Sequence, residues 1–291
     1  MKILNYGSLN IDIVYKVPHI VKPGETISAS DVQQYAGGKG ANQSVALAKA
    51  GAAVWHGGTI GSDGLWLLDL LKKFNVRTDL VRQYDGPTGQ AIIQVSDQGQ
   101  NSIFLFGGGN QNNTEADVDD ALSHFEEGDY LVLQNEINLT SYIIEKAHAR
   151  GMKICLNPAP YTEDVKSWPL EKLDLLVVNE IEGQDLAGKS GSFEETLQVL
   201  TGMYPGTSIL LTAGKAGAYF GKDSGREFVP IVDAPVVDTT AAGDTFFGYF
   251  LAGRLVGLTD REAMERATRA SAMTVSRPGA MDSIPFAGEL D

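Results

Sequence analysis

The sequence has one cysteine, four histidines and no apolar run of about 18 residues, the length needed to cross a bilayer. The single Cys155 excludes disulfide bonds within the chain, and its apolar surroundings at 153–156 indicate a buried structural thiol. The histidines are scattered without metal-ligand spacing, which argues against a histidine-based zinc site. The N-terminal residues lead directly into a strand pattern without a signal-peptide core, so we expect a soluble, cytoplasmic protein without a membrane partner.

Basic residues are also scarce. The chain has 23 Lys and Arg against 37 Asp and Glu, a formal net charge of −14. Nucleic acids and anionic membranes bind to basic surfaces, so we expect neither as a partner. A phosphate ligand remains compatible with this charge, because backbone amides and a magnesium ion can hold it inside an acidic protein. The length of 291 residues and the 43% hydrophobic content suffice for a large core.

Strand and helix patterns alternate regularly from residue 114 onward. They predict helices at 115–125, 141–150 and 193–204, and strands at 130–134, 153–157, 175–178 and 208–212. Before this region, we expect strands at 2–9 and 53–60 and a helix at 65–74. This order predicts an α/β fold with a mostly parallel central sheet and helices on both faces.

A hairpin pattern interrupts this alternation. Two β-like runs, 90–95 and 102–106, are joined by a short polar turn, and an extended segment lies near 12–35. We expect these pieces to form a small β-sheet lid, made of segments of about 11–35 and 88–107, on a single domain that spans 1–291. Such a lid covers a substrate and excludes water.

Two N-terminal features could bind a polar ligand. Asn10 and Asp12 alternate with apolar residues and therefore face the same way, where they could bind sugar hydroxyls or form a turn with local hydrogen bonds. The glycine-rich loop 37–43 leads into an Ala-rich helix predicted at 44–50, and its glycines allow a ligand to approach the backbone. The loop lacks the dinucleotide-binding spacing G-x-G-x-x-G.

The segment 238–244 combines small and acidic residues between an apolar run and a helix pattern. The run 228–237 predicts a strand, and the residues after 244 predict a helix. Ala241, Ala242 and Gly243 have almost no side chain, so their amides could hold an anion at the positive end of the helix dipole. Asp244 would then be a general base for a hydroxyl that attacks a phosphoryl group, or else part of an ordinary capped helix start.

One motif is misleading. Residues 183–190 match the P-loop pattern G-x-x-x-x-G-K-[ST], but four polar or helix-favouring residues, 179–182, separate the preceding strand from the first glycine. We expect a short helix that ends at Gly188 instead. Other polar residues follow the predicted strands, where ligands of parallel sheets collect: Asn135, Glu136, Asn157, 179–182, 212–214 and 238–244.

Together these motifs resemble the ribokinase-like carbohydrate kinases along nearly the whole chain. The resemblance rests on the segments 7–12, 37–43, 156–160, 179–182, 211–217 and 238–246, in order and spacing. It implies ATP-dependent phosphorylation of the primary hydroxyl of a ribose-type sugar. The glycine-rich stretch 106–112 departs from the family pattern near the sugar and leaves the identity of that sugar open.

The resemblance also implies roles for individual residues. Asp244 matches the base, and Ala241, Ala242 and Gly243 match the anion hole. The positions that match sugar contacts are Asn10, Asp12, Gly38, Lys39, Asn42 and Glu136. Asn179 and Glu182 match a motif that organises Mg²⁺ and phosphates, whereas Thr212, Gly214 and Gly217 match the nucleotide edge.

An activating monovalent cation, usually K⁺, is a further implication of the resemblance. Its ligands would be Asp238, Thr240, the carbonyl oxygens of Thr274, Arg277 and Gly279 and the hydroxyl of Ser283. The resemblance, together with the free edges of the lid, predicts a homodimer through the lid.

Two alternatives to a ribose kinase remain open for the function. The first is a kinase for deoxyribose, a fructose-type sugar or a nucleoside, and the second is a non-catalytic sugar- or nucleotide-binding protein on the same fold.

Overall fold

The computed structural model describes residues 1–290. The helices are α1 Lys39–Lys49, α2 Leu65–Lys73, α3 Glu115–Ser123, α4 Thr140–Ala149, α5 Glu180–Ala187, α6 Phe193–Met203, α7 Ala242–Leu255 and α8 Asp260–Val275. The strands are β1 Ile3–Tyr6, β2 Asn10–Val17, β3 Asp31–Gly37, β4 Val54–Ile60, β5 Arg77–Gln83, β6 Gly89–Ser96, β7 Asn101–Phe106, β8 Tyr130–Gln134, β9 Lys153–Asn157, β10 Leu175–Asn179, β11 Ser208–Thr212, β12 Ala218–Lys222 and β13 Gly225–Val229. None of the described helices combines the length and the apolar character needed to cross a membrane.

Nine strands form the central sheet in the order β13-β12-β11-β10-β9-β8-β1-β4-β5. The strands from β11 to β5 pair in parallel, and the hairpin of β12 and β13 adds an antiparallel edge. Successive residues of a strand alternate between the two faces: Ile3 belongs to a core with α1, α2, α7 and α8, and Leu4 to a core with α3 to α6. The predicted fold class, a mostly parallel sheet covered on both faces, is confirmed.

A separate four-stranded sheet has the order β3-β2-β6-β7, with β2 and β6 parallel. Its strands come from the two segments that the sequence predicts for the lid. The edge strand β7 is exposed, and Ile103, Phe104, Leu105 and Phe106 each keep half or more of their surface in solvent.

Several element boundaries differ from the predictions. The predicted strand at 228–237 is wrong beyond Val229, where β13 ends and irregular chain begins. The predicted strand at 2–9 ends early, because β1 stops at Tyr6 and residues 7–9 lie outside the strands, before β2 begins at Asn10. The strands β5 and β12 and residues 225–227 of β13 were not predicted. Helix α1 begins at Lys39 rather than at 44, because Gly38 at φ 94° turns the chain directly into its first turn.

The P-loop match does not form a P-loop. Residues 183–187 lie in α5, which begins at Glu180 and ends in Gly188 at φ 64°. A left-handed glycine of this kind is a common end of a helix. The predicted short helix that ends at Gly188 is therefore confirmed.

Candidate active site

The segment 238–244 turns sharply into α7. Asp238 accepts hydrogen bonds from the amide and the hydroxyl of Thr240, at 2.9 and 2.6 Å, and Ala241 at φ 60° begins the helix. Ala242 and Gly243 lie in the first helical turn, where backbone amides have no partner within the helix, and the Ala242 amide donates to the Thr239 carbonyl at 3.3 Å. Gly243 is exposed, and a methyl group added to it would meet no atom within 4 Å. This turn thus offers open space in front of the positive helix end.

Asp244 lies one residue deeper in the same turn and is buried. It accepts hydrogen bonds from Asn42 Nδ2 at 3.2 Å and from Gln43 Nε2 at 2.9 Å, so α1 and α7 meet at its carboxylate. The negative charge of Asp244 is the main cause that raises the pKa of Lys39. The predicted base is therefore hydrogen-bonded to one predicted sugar contact, Asn42, and close enough to a second, Lys39, for their charges to interact.

Glu136 joins the first turn of α1 to the end of β1. Its Oε2 accepts hydrogen bonds from the Ser8 hydroxyl and from the Lys39 amide, the latter at 2.9 Å. Burial raises the pKa of Glu136, although both hydrogen bonds lower it. Gly38 approaches Ser8 so closely that an added methyl group would lie 3.0 Å from the Ser8 carbonyl oxygen.

The lid strand β2 supplies the other predicted sugar contacts. Asn10 Oδ1 accepts a hydrogen bond from Asn110 Nδ2 at 2.7 Å. Asp12 has a buried Oδ1 without a protein hydrogen-bond partner, and burial, followed by the charge of Glu136, raises the pKa of Asp12 to about 7. Asn42 Oδ1 is also buried without a partner. Buried polar atoms are nearly always paired. Of the six unpartnered buried side-chain atoms within residues 1–290, these two acceptors belong to predicted sugar contacts, and a hydroxyl or amine group could satisfy them.

Two residues of the site were not predicted as such. Asn110 holds Asn10 and also accepts the Leu9 amide at 2.9 Å, and Gln43 contacts Asp244 directly. The polar run 110–113, which follows the lid hairpin, was a visible signal for Asn110. Gln43 lies within the glycine-rich loop motif, but a glutamine there could either bind a ligand or hold another side chain in place, and the residue type does not distinguish these roles.

A cleft of about 800 Å³ lies on the other side of the 238–244 turn. The predicted nucleotide residues Asn179, Thr212, Gly214 and Gly217 line it, as do Thr239, Ala242 and Gly243. Its apolar lining includes Ile231, Val232, Val236, Phe246, Ala272 and Val275. An apolar cleft that ends at a helix N-terminus has the chemistry to hold a flat aromatic base with phosphates attached.

Asn179 and Glu182 form the start of α5. Asn179 Oδ1 accepts the amides of Ile181 and Glu182, each at 2.9 Å, and Glu182 Oε2 accepts the Asn179 amide at 3.0 Å. This reciprocal pair is a capping box. Glu182 is buried, which raises its pKa; the charge of Lys39 lowers that pKa and the charge of Asp244 raises it. The capping residues thus share an electrostatic environment with the predicted base.

The residues predicted to bind a monovalent cation come together in part. Asp238 Oδ2 accepts the Gly279 amide at 3.1 Å, and the amides of Val237 and Asp238 donate to the Val275 carbonyl. Burial raises the pKa of Asp238, but the hydrogen bonds from Thr240 and Gly279 outweigh it and leave the pKa lowered. The segments 238–240 and 274–279 are therefore directly joined.

The remaining predicted cation ligands have protein partners for their side chains. The Thr274 hydroxyl donates to the Ala270 carbonyl, the Ser283 hydroxyl donates to the Ala280 carbonyl, and the Arg277 guanidinium pairs with Glu289. Within residues 1–290, no three His, Cys, Asp or Glu side chains form a group that could hold a metal ion.

Comparisons with known proteins agree with this geometry. A model described as pfkB family carbohydrate kinase matches residues 1–287. The ribokinase of Staphylococcus aureus is 34% identical over 304 residues, which cover 100% of this chain and 98% of that protein. The crystal structure of the Cryptococcus neoformans ribokinase with ADP has a TM-score of 0.88 at 32% identity, and 99% of this chain and 98% of that chain are covered. The structure of the Arabidopsis thaliana ribokinase with ribose and ATP also has a TM-score of 0.88, at 28% identity, and covers 99% of this chain and 96% of that chain.

Proposed function

We propose that this chain, which belongs to the pfkB family of carbohydrate kinases, transfers the γ-phosphoryl group of ATP to the primary 5-hydroxyl of D-ribose or a similar sugar. The ribokinase structures with ADP and with ribose and ATP support both substrates. The observation that carries the sugar assignment is the pair of buried, unpartnered acceptors, Asp12 Oδ1 and Asn42 Oδ1, which a polyhydroxy ligand would satisfy. Asn10, Gly38, Lys39 and Glu136 complete this sugar pocket.

The geometry supports a general-base role for Asp244. Asp244 belongs to the first turn of α7, and its carboxylate contacts Asn42 of the sugar pocket, so an attacking hydroxyl and a phosphate could meet there. Asp244 accepts the proton of the sugar hydroxyl as the oxygen attacks phosphorus. The backbone amides of Ala241, Ala242 and Gly243 stabilise the charge on the transferred group.

The nucleotide would occupy the cleft lined by Thr212, Gly214 and Gly217. Its base packs on the apolar lining, and its phosphates extend toward Gly243. The lid closes over the sugar, which excludes water as a competing acceptor.

Mg²⁺ fits this site as an ion that binds mainly to phosphates and water, because Mg²⁺ takes few protein ligands in such sites. We assign Glu182, whose pKa responds to the charges of Asp244 and Lys39, and Asn179 as the residues that would lie beside the bound Mg²⁺. When bound, Mg²⁺ neutralises phosphate charge.

A monovalent cation fits the joined segments 238–240 and 274–283. The carboxylate of Asp238, the oxygens of Thr240, the carbonyls of Thr274, Arg277 and Gly279 and the hydroxyl of Ser283 supply only oxygen donors, which suit a hard, weakly polarising ion such as K⁺. The bound ion would order the turn that leads into the anion hole.

The exposed lid supports a homodimer. By the strand register, Phe104 and Phe106 on β7 share one face of the lid with Val32 on the opposite edge strand β3, and all three leave apolar surface in solvent. A second copy of the chain would cover this surface and the free strand edge. Sedimentation at micromolar concentration tests this proposal, and a monomer at all concentrations would contradict it.

The decisive experiment measures ADP formation with ATP and a panel of ribose, deoxyribose, fructose and nucleosides. We expect ribose to give the highest kcat/KM. Another preferred acceptor would assign a different sugar or nucleoside, and no turnover with any acceptor would favour a binding protein.

A substitution then tests the base. General-base assistance contributes about 10²–10⁴ in rate, so Asp244→Asn should reduce kcat by that factor and leave ribose and ADP binding nearly unchanged. The control Asp119→Asn changes an exposed carboxylate that pairs with Lys146 and should leave turnover unaffected. Full activity of Asp244→Asn would exclude the general-base role.

A further inference from the structure

A chain of buried side-chain amides extends from Asp244 into the core beneath the sugar pocket. Its first member is Gln43, which is fully buried and donates from Nε2 to Asp244 Oδ1 at 2.9 Å and to Asn157 Oδ1 at 3.1 Å. Gln43 Oε1 accepts a hydrogen bond from Gln134 Nε2 at 2.7 Å. Both Nε2 protons and the Oε1 atom of Gln43 therefore make hydrogen bonds within the protein.

An amide side chain can present either its oxygen or its nitrogen, and the network decides which. On one side, Asn157 Nδ2 donates to the backbone carbonyl of Val177 at 3.0 Å. A carbonyl only accepts, so this contact must be made by the Asn157 nitrogen. Asn157 Oδ1, an acceptor, then faces Gln43, so Gln43 must present its Nε2 as the donor.

A second backbone carbonyl fixes the same amide from the opposite direction. Asn5 Nδ2 donates to the Gly40 carbonyl at 2.7 Å, so Asn5 Oδ1 faces Gln134 and accepts from its Nε2 at 2.9 Å. The same Gln134 nitrogen also donates to Gln43 Oε1. The two backbone anchors, Val177 and Gly40, thus independently direct Gln43 Nε2 toward Asp244.

We propose that Gln43 is a positioning residue that holds Asp244 by Oδ1 and leaves Oδ2 to receive the proton of the sugar hydroxyl. This inference rests on the proposed function of Asp244 as the base. Asn42 contacts Oδ2 at the longer distance of 3.2 Å, and its own Oδ1 has no protein partner, so Asn42 faces the ligand side. Gln43 instead is fixed by the core before any ligand arrives.

The hydrogen bond from Gln43 also holds the Asp244 carboxylate against electrostatic attraction by Lys39. Asp244 and the ammonium group of Lys39 attract each other strongly enough to raise the pKa of Lys39. Without the donor of Gln43, only the longer hydrogen bond from Asn42 would hold the carboxylate against this attraction. Rotation would misalign the oxygen that accepts the proton, and misplacement of a reacting group by about 1 Å lowers rates by about 10².

Gln43→Met tests the proposal, because methionine has a similar length and no hydrogen-bonding nitrogen. We expect kcat with ribose and ATP to fall about 10- to 100-fold, with the KM for ribose within about threefold of the wild-type value. The matched control is Ser44→Ala, which removes hydrogen bonds to Asn5 and His56 in the same buried network without touching Asp244. It should lower the melting temperature and leave kcat unchanged.

A folded Gln43→Met variant with wild-type kcat would overturn the proposal. Equal losses of kcat in both variants would also overturn it, since they would indicate general damage to the network. Should Gln43→Met fail to fold, Gln43→Glu retains the side-chain shape but faces the acceptors Asp244 and Asn157 without a donor when ionised. Its kcat relative to wild type should rise as the pH falls, and a pH-independent ratio near one would overturn the proposal. An inactive wild-type protein would refute the proposed function instead, so the two failures are distinguishable.

Discussion

A substitution at Gly243 separates the stability of α7 from the proposed role of its first turn in binding phosphate. The structure leaves open space where a methyl group on Gly243 would lie, and Gly243 lines the nucleotide cleft. Alanine stabilises a helix relative to glycine by about 0.5–1 kcal/mol, and less at a helix end. For a chain of this size, we therefore expect Gly243→Ala to raise the melting temperature by about 1–2 °C.

Activity should change in the opposite direction. If the transferred phosphate packs against the backbone of Gly243, the added methyl group overlaps with it, and overpacking costs about 1–3 kcal/mol. This penalty corresponds to a loss of roughly 5- to 150-fold in kcat/KM for ATP. Coupled-enzyme assays of ADP formation and thermal unfolding of the same sample measure both effects.

The matched control is Gly202→Ala. Gly202 lies exposed in α6, a methyl group there also meets no atom within 4 Å, and the residue is not among those lining the cleft. This variant should gain similar stability and keep full activity. Unchanged kcat/KM in Gly243→Ala would refute the contact with phosphate, and a clear loss of its stability would refute the steric reasoning.

Three further predictions follow from the structure. Gly40→Ala should lower the free energy of unfolding in urea by about 1–3 kcal/mol, because its methyl group would lie 2.3 Å from the Ser8 backbone nitrogen; unchanged stability would contradict the close packing of α1. Replacement of K⁺ by tetramethylammonium should lower kcat if Asp238 and the 274–283 loop hold a cation, and equal rates would count against that site. Lys49 is buried, its Nζ donates to the carbonyls of Met281 and Ile284, and burial lowers its pKa to about 8, against opposing effects of nearby acidic groups. Between pH 8 and 10.5 the unfolded chain therefore binds more protons at this residue, so the unfolding free energy of wild type relative to Lys49→Met should rise with pH, and a flat difference would contradict the shifted pKa.

Much of the site could be predicted from the sequence because its residues lie in short motifs at the carboxyl ends of strands. In a parallel sheet these ends lie along one edge, so the alternation of strands and helices places Glu136, Asn179 and Thr212 at the same edge, with Asn179 and Thr212 on neighbouring strands. The helix start after 238–244 was equally visible from its small residues. Local pattern and topology together were sufficient here.

The support beneath the base was not predictable in the same way. Gln43, Gln134 and Asn5 are amides, a residue type that is usually exposed, yet all three are buried in this protein. Their burial is stable only because each finds a partner on a different strand or helix. No local pattern encodes such pairing, since the partners are separated by tens of residues.

The wrong strand at 230–237 has a physical cause of its own. Ile231, Val232 and Val236 are β-branched, which favours a strand, but in the structure they lie outside the sheet and line the cleft beside the 238–244 turn. Val232 and Val236 keep 46% and 64% of their surface exposed, so the protein itself leaves much of this apolar surface uncovered. A sequence pattern records only that apolar surface must be covered, and a sheet or a ligand can cover it equally well. An apolar segment that immediately precedes an anion-binding turn should therefore be considered as the lining of a ligand-binding cleft as well as a strand.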